Sequence, residues 1–151
     1  MNQHKLQKPR IFIDKEGNWF QDGIPILHRW TYLYNNRLLQ KVQKDDQVQY
    51  FIVEGRGKIY IDVEDTPFVI KNIELRNSSL FLILNDETDE ELQFDTIYLN
   101  ADNIPYVKVK NGRFDARFSR PAYYEIMKLL NHEQGKYYLN IGSEKIVIKQ
   151  N

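Results

Sequence analysis

The feature that most constrains this 151-residue sequence is an order of patterns that occurs twice. In each half, a strand–turn–strand pattern precedes an amphipathic helical pattern, and a second strand–turn–strand pattern follows it. The closing hairpins align without a gap at an offset of 87, which matches Lys58 with Lys145. The helical stretches align at an offset of 91, which matches Arg29 with Arg120. A repeat of this length predicts an α+β fold of two related subdomains, each hairpin–helix–hairpin.

The repeat also predicts how the chain divides. We expect a polar N-terminal tail over 1–9, an N-terminal repeat subdomain over 10–68 and a C-terminal β-rich subdomain over 69–151. The second repeat occupies about 106–149 of that C-terminal subdomain. Two copies joined in one chain should pack face to face, and a crevice between subdomains is a common place for a ligand.

Local patterns predict several elements within these halves. Asn111-Gly112 is the strongest hairpin dipeptide in the chain. Ser119 followed by Pro121 is typical of a helix N-terminus, and Gly142-Ser143 is expected to turn the last hairpin. The polar stretches 43–47 and 86–91 are expected to be loops, the latter solvated.

The first helix is expected to run from 29 to about 41. Its spacing places four apolar residues on one face, and both tryptophans are expected in the core rather than in a ligand platform. The four residues of that face are Trp30, Leu33, Tyr34 and Leu38.

Composition excludes several classes of protein. The sequence has no cysteine, which excludes disulfide scaffolds, thiolate zinc sites and cysteine nucleophiles. Basic and acidic residues balance at 21 each, which argues against bulk attraction to a long nucleic acid. No apolar run approaches the roughly 20 residues that span a bilayer, and the polar N-terminus lacks a signal-peptide core. We therefore expect a cytoplasmic protein without a membrane partner.

A basic and aromatic run in the second half is a candidate anion site. In an extended strand, Tyr106, Lys108 and Lys110 share one face while Val107 and Val109 point the other way. Arginine side chains follow, and the guanidinium group matches phosphate oxygens. The alternative is a solvated sheet face over two buried valines. The remaining members of this run are Arg113, Arg117, Arg120 and Tyr123.

The block Val63-Glu64-Asp65-Thr66-Pro67-Phe68 lies where the chain leaves the first repeat. Pro67 restricts Thr66 to extended conformations, and the two adjacent carboxylates project in different directions. Glu64 or Asp65 could accept hydrogen bonds from a ligand. The alternative is a charged turn that Phe68 anchors in the core.

These residues favour a non-enzymatic module that binds a small anionic molecule between its halves. No catalytic residue, metal ligand or cofactor is assigned, since the three histidines and the serines match no known spacing. The alternatives are a protein–protein adaptor and a metal-assisted phosphate-ester hydrolase that uses Glu64, Asp65 and Asp86. The predicted ligand-binding residues are Lys58, Glu64, Asp65, Phe68, Tyr106, Lys108, Arg113, Arg117, Arg120 and Tyr123.

Several blocks together resemble a bacterial domain-of-unknown-function family. They cover about 11–130, and the block 63–68 is the most specific of them. The resemblance implies a duplicated α+β core, a C-terminal half that superficially looks like a pleckstrin-homology fold, a nucleotide-like ligand and a role in signal transduction. The segment 80–102 departs from the family. The other blocks begin at Ile13-Asp14, Trp19-Phe20, Tyr50-Phe51, Pro105-Tyr106 and Tyr123-Tyr124.

Overall fold

A computed structural model describes residues 11–141 and 144–150 of the chain. The expected tail over 1–9 and the expected turn at Gly142-Ser143 lie outside the described residues. The chain divides into two compact units, Met1–Asp65 and Thr66–Asn151. Most of the described residues lie in two mixed β-sheets, together with two α-helices. The α+β class is therefore confirmed, with strand predominating.

The first unit is built on a six-stranded sheet. Its strand order is β3-β2-β1-β6-β5-β4, in which β1 and β6 are parallel neighbours and the other pairs are antiparallel. The helix α1 connects the third strand to the fourth. The elements are β1 Ile11–Ile13, β2 Trp19–Gln21, β3 Ile24–Pro25, α1 Arg29–Leu38, β4 Gln40–Lys44, β5 Gln47–Glu54 and β6 Gly57–Val63.

The second unit is built on a nine-stranded sheet in the order β13-β14-β15-β10-β11-β12-β7-β8-β9. Here β10 and β15 are parallel, as are β12 and β7. A 3₁₀ turn, Phe94–Thr96, precedes β10. The elements are β7 Phe68–Arg76, β8 Ser79–Leu84, β9 Asp89–Glu91, β10 Tyr98–Leu99, β11 Pro105–Val109, β12 Phe114–Phe118, α2 Arg120–Met127, β13 Leu130–Glu133, β14 Lys136–Ile141 and β15 Glu144–Gln150.

Three strands precede α1 and three follow it, rather than the expected hairpins; α2 is preceded by six strands of its unit, the nearest being β10, β11 and β12, and is followed by three. Two of the additional strands, β3 and β10, contain only two residues each. A two-residue strand is too short to show the alternation of apolar and polar residues by which a sequence reveals a strand.

Strand alternation places the core of the second unit. On β8, Leu80, Leu82 and Leu84 are almost fully buried, while the residues between them are half-buried. On β11, Val107 and Val109 are fully buried, as the alternating pattern predicts. The turn at Asn111-Gly112 joins β11 to β12, and Ser119 Oγ accepts a hydrogen bond from Ala122 N at the start of α2. These predictions are confirmed.

The expectation of a loop over 43–47 is wrong. β4 continues to Lys44, β5 begins at Gln47, and the two residues Asp45-Asp46 form the turn. Asp45 takes a φ of 56°, a left-handed conformation that aspartate tolerates better than most residues. All five residues of β4 are exposed, so no buried face marks this ribbon in the sequence.

The expectation of a solvated loop over 86–91 is also wrong. Residues Asp89–Glu91 form β9, which pairs with β8. The Asp86 side chain is only 7% exposed, and its Oδ2 lies 2.7 Å from Lys110 Nζ. The lysine that pairs with Asp86 lies 24 residues further along the chain. The acidic composition of 86–91 does not show this pairing and therefore predicts a solvated loop.

The first helix ends three residues earlier than expected, because Leu39 is already extended. Trp19 is buried as predicted, with 2% of its surface exposed. Trp30 is 65% exposed and Tyr34 is 56% exposed, so the prediction that they fill the core is wrong. The helical spacing predicts a common face correctly but not which way that face points.

Candidate ligand-binding site

One face of the second unit's sheet gathers three of the predicted site residues. Tyr106 and Lys108 lie on the same side of β11 because side chains alternate along a strand. Arg117 pairs with Tyr106 across β12, and Asp115 pairs with Lys108. The predicted basic and aromatic surface thus exists at these positions, with a carboxylate included.

The face continues onto β10 and β15. Tyr98 pairs with Tyr106 on one side and with Lys149 on the other. The rings of Tyr98 and Tyr106 are stacked, with centroids 5.4 Å apart and an interplanar angle of 11°. A row of four side chains therefore crosses four adjacent strands, in the order Lys149, Tyr98, Tyr106 and Arg117.

A depression of about 420 Å³ opens beside this row. The 3₁₀ turn closes one side, where Thr96 Oγ1 accepts a hydrogen bond from Lys108 N at 3.2 Å and donates one to Gln93 O. These bonds hold the turn against β11 without using the lysine side chain. The residues that line the depression are Asp95, Thr96, Tyr98, Lys108, Asp115 and Lys149.

The charges around the depression are mixed. Lys108 Nζ lies 2.8 Å from Asp115 Oδ1, a distance of an ion pair. That carboxylate oxygen is buried and lacks a hydrogen bond of good geometry, so the ammonium charge is what compensates it. Lys149 and Asp95 are exposed at the rim. The site can therefore receive an anionic group at Lys149 and a hydrogen-bond donor at Asp95, beside an aromatic ring.

Three predicted site residues lie in the first unit. Lys58 Nζ sits 4.6 Å from the centroid of the Phe51 ring, a cation–π contact. Glu64 Oε1 accepts a hydrogen bond from Lys15 N at 2.9 Å. Asp65, the last residue of this unit, is half-buried. Lys58 and Glu64 therefore contact other residues of the first unit.

Among the predicted ligand-binding residues, Lys108 lines the depression, Tyr106 and Arg117 lie in the adjoining row, and the other four of the second unit lie elsewhere. Phe68 is in the core, 2% exposed, with its ring edge-on to Phe114 at 5.1 Å. Arg113 Nε donates to Lys110 O in the turn between β11 and β12. Arg120 is exposed at the start of α2, and the Tyr123 ring contacts that of Tyr124.

Lys110 does not share the face of Lys108. It lies in the turn with a φ of 57°, and its Nζ contacts Asp86 Oδ2 and Thr88 Oγ1 at 2.7 and 2.9 Å. Its backbone N–H donates to the Glu90 carboxylate. Lys110 therefore fastens the turn to the acidic segment.

The acidic side chains carry no metal cluster in the described ranges. Over 11–141 and 144–150, no three histidine or acidic side chains come close enough to hold an ion. The helices in the same ranges are too short and too polar for one to cross a membrane.

Sequence reasoning missed Tyr98 and Lys149. The two residues pair through the parallel neighbours β10 and β15, which are about 50 residues apart in the chain. An alignment of 11–13 with 97–99 at an offset of 86 would have found this pairing, because both triplets have apolar first and third residues that are buried. The alignment of β6 with β15 would then have placed Lys149 next to Tyr98, at the position that Asp62 has next to Phe12.

The sequence matches no protein-family model, and no curated protein is similar to it. Two solved structures share its fold. A DUF1285 family protein from Silicibacter pomeroyi DSS-3 superposes with a TM-score of 0.73 at 22% identity, over 94% of this chain and 80% of that one. A DUF1285 family protein from Shewanella baltica OS155 gives a TM-score of 0.64 at 22% identity, over 81% of this chain and 93% of that one. The resemblance to a bacterial domain-of-unknown-function family is thus confirmed, and the fold of this chain is that of DUF1285 proteins.

Proposed function

We propose that this chain is a duplicated, non-catalytic module whose second unit binds a small anionic molecule with a planar ring, such as a nucleotide. The ring would lie against Tyr98, the anionic group would contact Lys149 and Lys108, and Asp95 would accept a hydrogen bond from the ring or a sugar. A signalling role and the pleckstrin-homology likeness stay predictions from the resemblance.

The strand order supports the duplication. Read from the other edge, six strands of the second unit run β12-β11-β10-β15-β14-β13, which matches β3-β2-β1-β6-β5-β4 element for element. The parallel pair that joins the two halves of each sheet is formed by the first and the last strand in both cases. The helix follows the third strand in both. Strands β7, β8 and β9 are then an addition to the second unit.

The loops between the first two strands support the duplication bond by bond. Asp14 N donates to Asn18 O and Gly17 N donates to Asp14 O, while Asp14 Oδ1 accepts from the N–H groups of residues 16 and 18. At an offset of 86, Asn100 makes the same four backbone and side-chain bonds with residues 102, 103 and 104. Four matching bonds in a five-residue connection are not a general property of β-hairpins.

The closing strands also correspond. Lys145 Nζ lies 4.3 Å from the Tyr138 ring centroid, which repeats the contact of Lys58 with Phe51 at an offset of 87. Counted from the equivalent pairs Gln40–Phe51 and Asn131–Tyr138 to the turn, the β4–β5 hairpin has two pairs more than β13–β14, which accounts for the four residues by which the two alignments differ. The offset between the two alignments therefore changes because the β4–β5 hairpin is longer than the β13–β14 hairpin.

The observation that carries the proposed ligand site is the contrast between equivalent rows. Pairing across the first unit's sheet gives the row Asp62, Phe12, Phe20 and Pro25, at the positions of Lys149, Tyr98, Tyr106 and Arg117. The same fold therefore forms without the cations and hydroxyl groups of the second row. Polar and charged side chains that a fold does not need are candidates for binding.

Thermal shift and calorimetry with a nucleotide panel test this proposal. The panel contains nucleoside 5′-monophosphates, dinucleotides, the parent nucleosides and inorganic phosphate. A mononucleotide at 100 times its Kd should stabilise the chain by about 2.7 kcal/mol, a rise in Tm of about 5 to 10 °C. Nucleosides or phosphate alone should give smaller shifts, because each supplies part of the contacts.

The matched variants are Lys149→Gln in the row and Lys128→Gln on α2, both exposed lysines. Lys149→Gln should weaken mononucleotide binding at least tenfold, while Lys128→Gln should leave it unchanged. If no mononucleotide or dinucleotide stabilises the wild-type chain at millimolar concentration, the proposed site is wrong. Equal effects of the two variants would reduce the binding to bulk electrostatics and also overturn it.

A further inference from the structure

The first unit exposes large apolar side chains along one side of α1 and the segment before it. We name this surface the Trp30 face, and its members are 56 to 83% exposed. Trp30 and Tyr34 are four residues apart on α1 and therefore lie on one side of the helix, while Ile24 and Leu27 precede it in the chain. Single exposed apolar residues are common, but a tryptophan and a tyrosine exposed together on one side of a helix mark a candidate binding surface. The residues of the Trp30 face are Ile24, Leu27, Trp30 and Tyr34.

A depression of about 490 Å³ lies on this surface. Trp30, Leu33 and Tyr34 form its apolar part, and Arg37 and Glu54 lie at its edge. Its size suits one or two large apolar side chains of a partner.

The helix that carries Trp30 and Tyr34 is basic. The segment 24–38 contains Arg29, Arg37 and His28 but no aspartate or glutamate. The Arg29 guanidinium lies 4.8 Å from the centroid of the Trp30 ring. One acidic side chain, Glu54, lies at the edge of the depression, compared with two arginines on the helix. Charge complementarity therefore favours an acidic partner.

The equivalent helix shows that the fold does not need these aromatic residues. At the positions of Trp30 and Tyr34, α2 has Pro121 and Glu125, and Glu125 pairs with Lys128 at 2.9 Å. The helix α2 instead buries Ala122 and Ile126 within its own unit. A structural need common to both helices therefore does not explain Trp30 and Tyr34.

We infer that the Trp30 face is a docking surface for an acidic segment of a partner protein, anchored by apolar side chains. Tryptophan, tyrosine and arginine are the residues that most often supply the binding energy of protein interfaces. Apolar anchors of the partner fill the depression, and its carboxylates pair with Arg29 and Arg37. This surface is distinct from the ligand site of the second unit in its residues and in its chemistry.

Fluorescence anisotropy with two sets of labelled peptides tests the inference. Both sets carry Leu or Phe at i, i+3 and i+7, and the other positions are acidic in one set and basic in the other. The full-length chain should bind the acidic set at least tenfold more tightly than the basic set. Trp30→Ala should weaken that binding at least tenfold, and Arg37→Glu should reduce or reverse the preference for acidic peptides.

The matched control is Tyr124→Ala, which removes an exposed aromatic ring from α2 and should leave peptide binding unchanged. Circular dichroism of each variant establishes that a loss of binding is not a loss of fold. Equal binding of both peptide sets, or no binding of either up to 1 mM peptide, overturns the inference. So does a concentration-dependent dimer that Trp30→Ala abolishes, because the face would then bind a second copy of this chain.

Discussion

Equivalent rows of four residues cross the two sheets, and they differ in chemistry while they agree in packing. Both rows contain a cross-strand pair of aromatic rings, Phe12 with Phe20 and Tyr98 with Tyr106. The ring pair stabilises the hairpin in each unit, since aromatic pairs across strands contribute to sheet stability. The hydroxyl groups and the flanking cations occur only in the second row. What the two rows share therefore belongs to the fold, and the side chains that only the second row contains are those of the proposed ligand site.

The two helices differ in the opposite sense. In the second unit α2 buries two side chains, while α1 in the first unit buries only Asn36 and exposes Trp30. The second unit thus combines a charged row with a helix that packs on its sheet. The first unit combines a row without cations with a helix that exposes aromatic side chains. We therefore expect the two copies to have divided two binding tasks between them.

The largest expected effect tests whether the two cores are equivalent. Ile13 and Leu99 occupy matching strand positions and are almost fully buried. Replacing either with alanine should lower the free energy of unfolding of its own unit by about 2 to 5 kcal/mol, because burial is lost and a cavity remains. Hydrogen exchange by NMR assigns the loss to a unit. Val42→Ala, an exposed control, should cost little, and a cost below about 1 kcal/mol for either core variant would contradict the equivalence.

A second prediction concerns a contact that the first unit lacks. Lys110→Met should destabilise the second unit by about 3 kcal/mol, because it leaves the Asp86 carboxylate buried without its ammonium partner. Urea unfolding followed by circular dichroism measures the change. The double variant with Asp86→Asn should recover part of the loss, and a full loss in the double variant would show that the charge pair is not the cause.

The third prediction uses the matching loops. Asp14→Ala and Asn100→Ala should each cost about 1 to 2 kcal/mol, because two backbone N–H groups lose their acceptor. The exchanges Asp14→Asn and Asn100→Asp keep that acceptor and should each cost less than about 0.5 kcal/mol. Thermal unfolding of the four variants measures these values. If the Asp–Asn exchanges lower the free energy of unfolding as much as the alanine variants do, the two loops are not equivalent.

The fourth prediction separates fold from binding. Lys149→Asp gives the second row the residue of the first, and Asp62→Lys does the reverse. Both residues are exposed, so each change should alter stability by no more than about 0.5 kcal/mol. Calorimetry should show nucleotide binding lost in Lys149→Asp and retained in Asp62→Lys. If both variants still bind the nucleotide, the row is not part of the binding site.

The smallest effect concerns the closing strands. A hydrogen bond from the Lys145 ammonium to Glu133 raises the pKa of Lys145, while Val42 stands at the position of Glu133 in the first unit. The raised pKa means that this contribution to stability is present below the ordinary lysine pKa and is lost as the pH rises through the folded-state value. Glu133→Gln should lower the pKa of Lys145, which ¹⁵N NMR titration of Nζ measures. An unchanged pKa would show that Glu133 is not the cause.

The sequence predicts best those elements whose residues alternate or turn in a recognisable way. The hairpin at Asn111-Gly112, the helix start at Ser119 and the buried valines of β11 all depend on neighbours within a few residues. The two-residue strands β3 and β10 have no such pattern, and the exposed strand β4 has no buried face. Their positions depend on pairing with distant strands.

The candidate site divides in the same way. Tyr106, Lys108 and Arg117 share a face because of local alternation and one hairpin register, which the sequence predicts. Tyr98 and Lys149 join them through a parallel pairing that closes the sheet over about 50 residues. Lys110 leaves the face because its backbone takes a left-handed turn and its ammonium contacts Asp86. The alternation of residues along a strand predicts neither the parallel pairing nor the position of Lys110.

Pro25 has a consequence for how such a sheet can grow. In the second unit, the N–H of Arg117 points outward from β12 and donates to Thr66 Oγ1 beside the added strand β7. In the first unit, Ile26 N donates inward to Trp19 O, and the outward position belongs to Pro25, which has no N–H. The sheet of the second unit therefore continues into three more strands at this edge, while the sheet of the first unit ends at a proline. At this edge a further chain would find no donor at residue 25, so the edge is a poor template for intermolecular strand pairing.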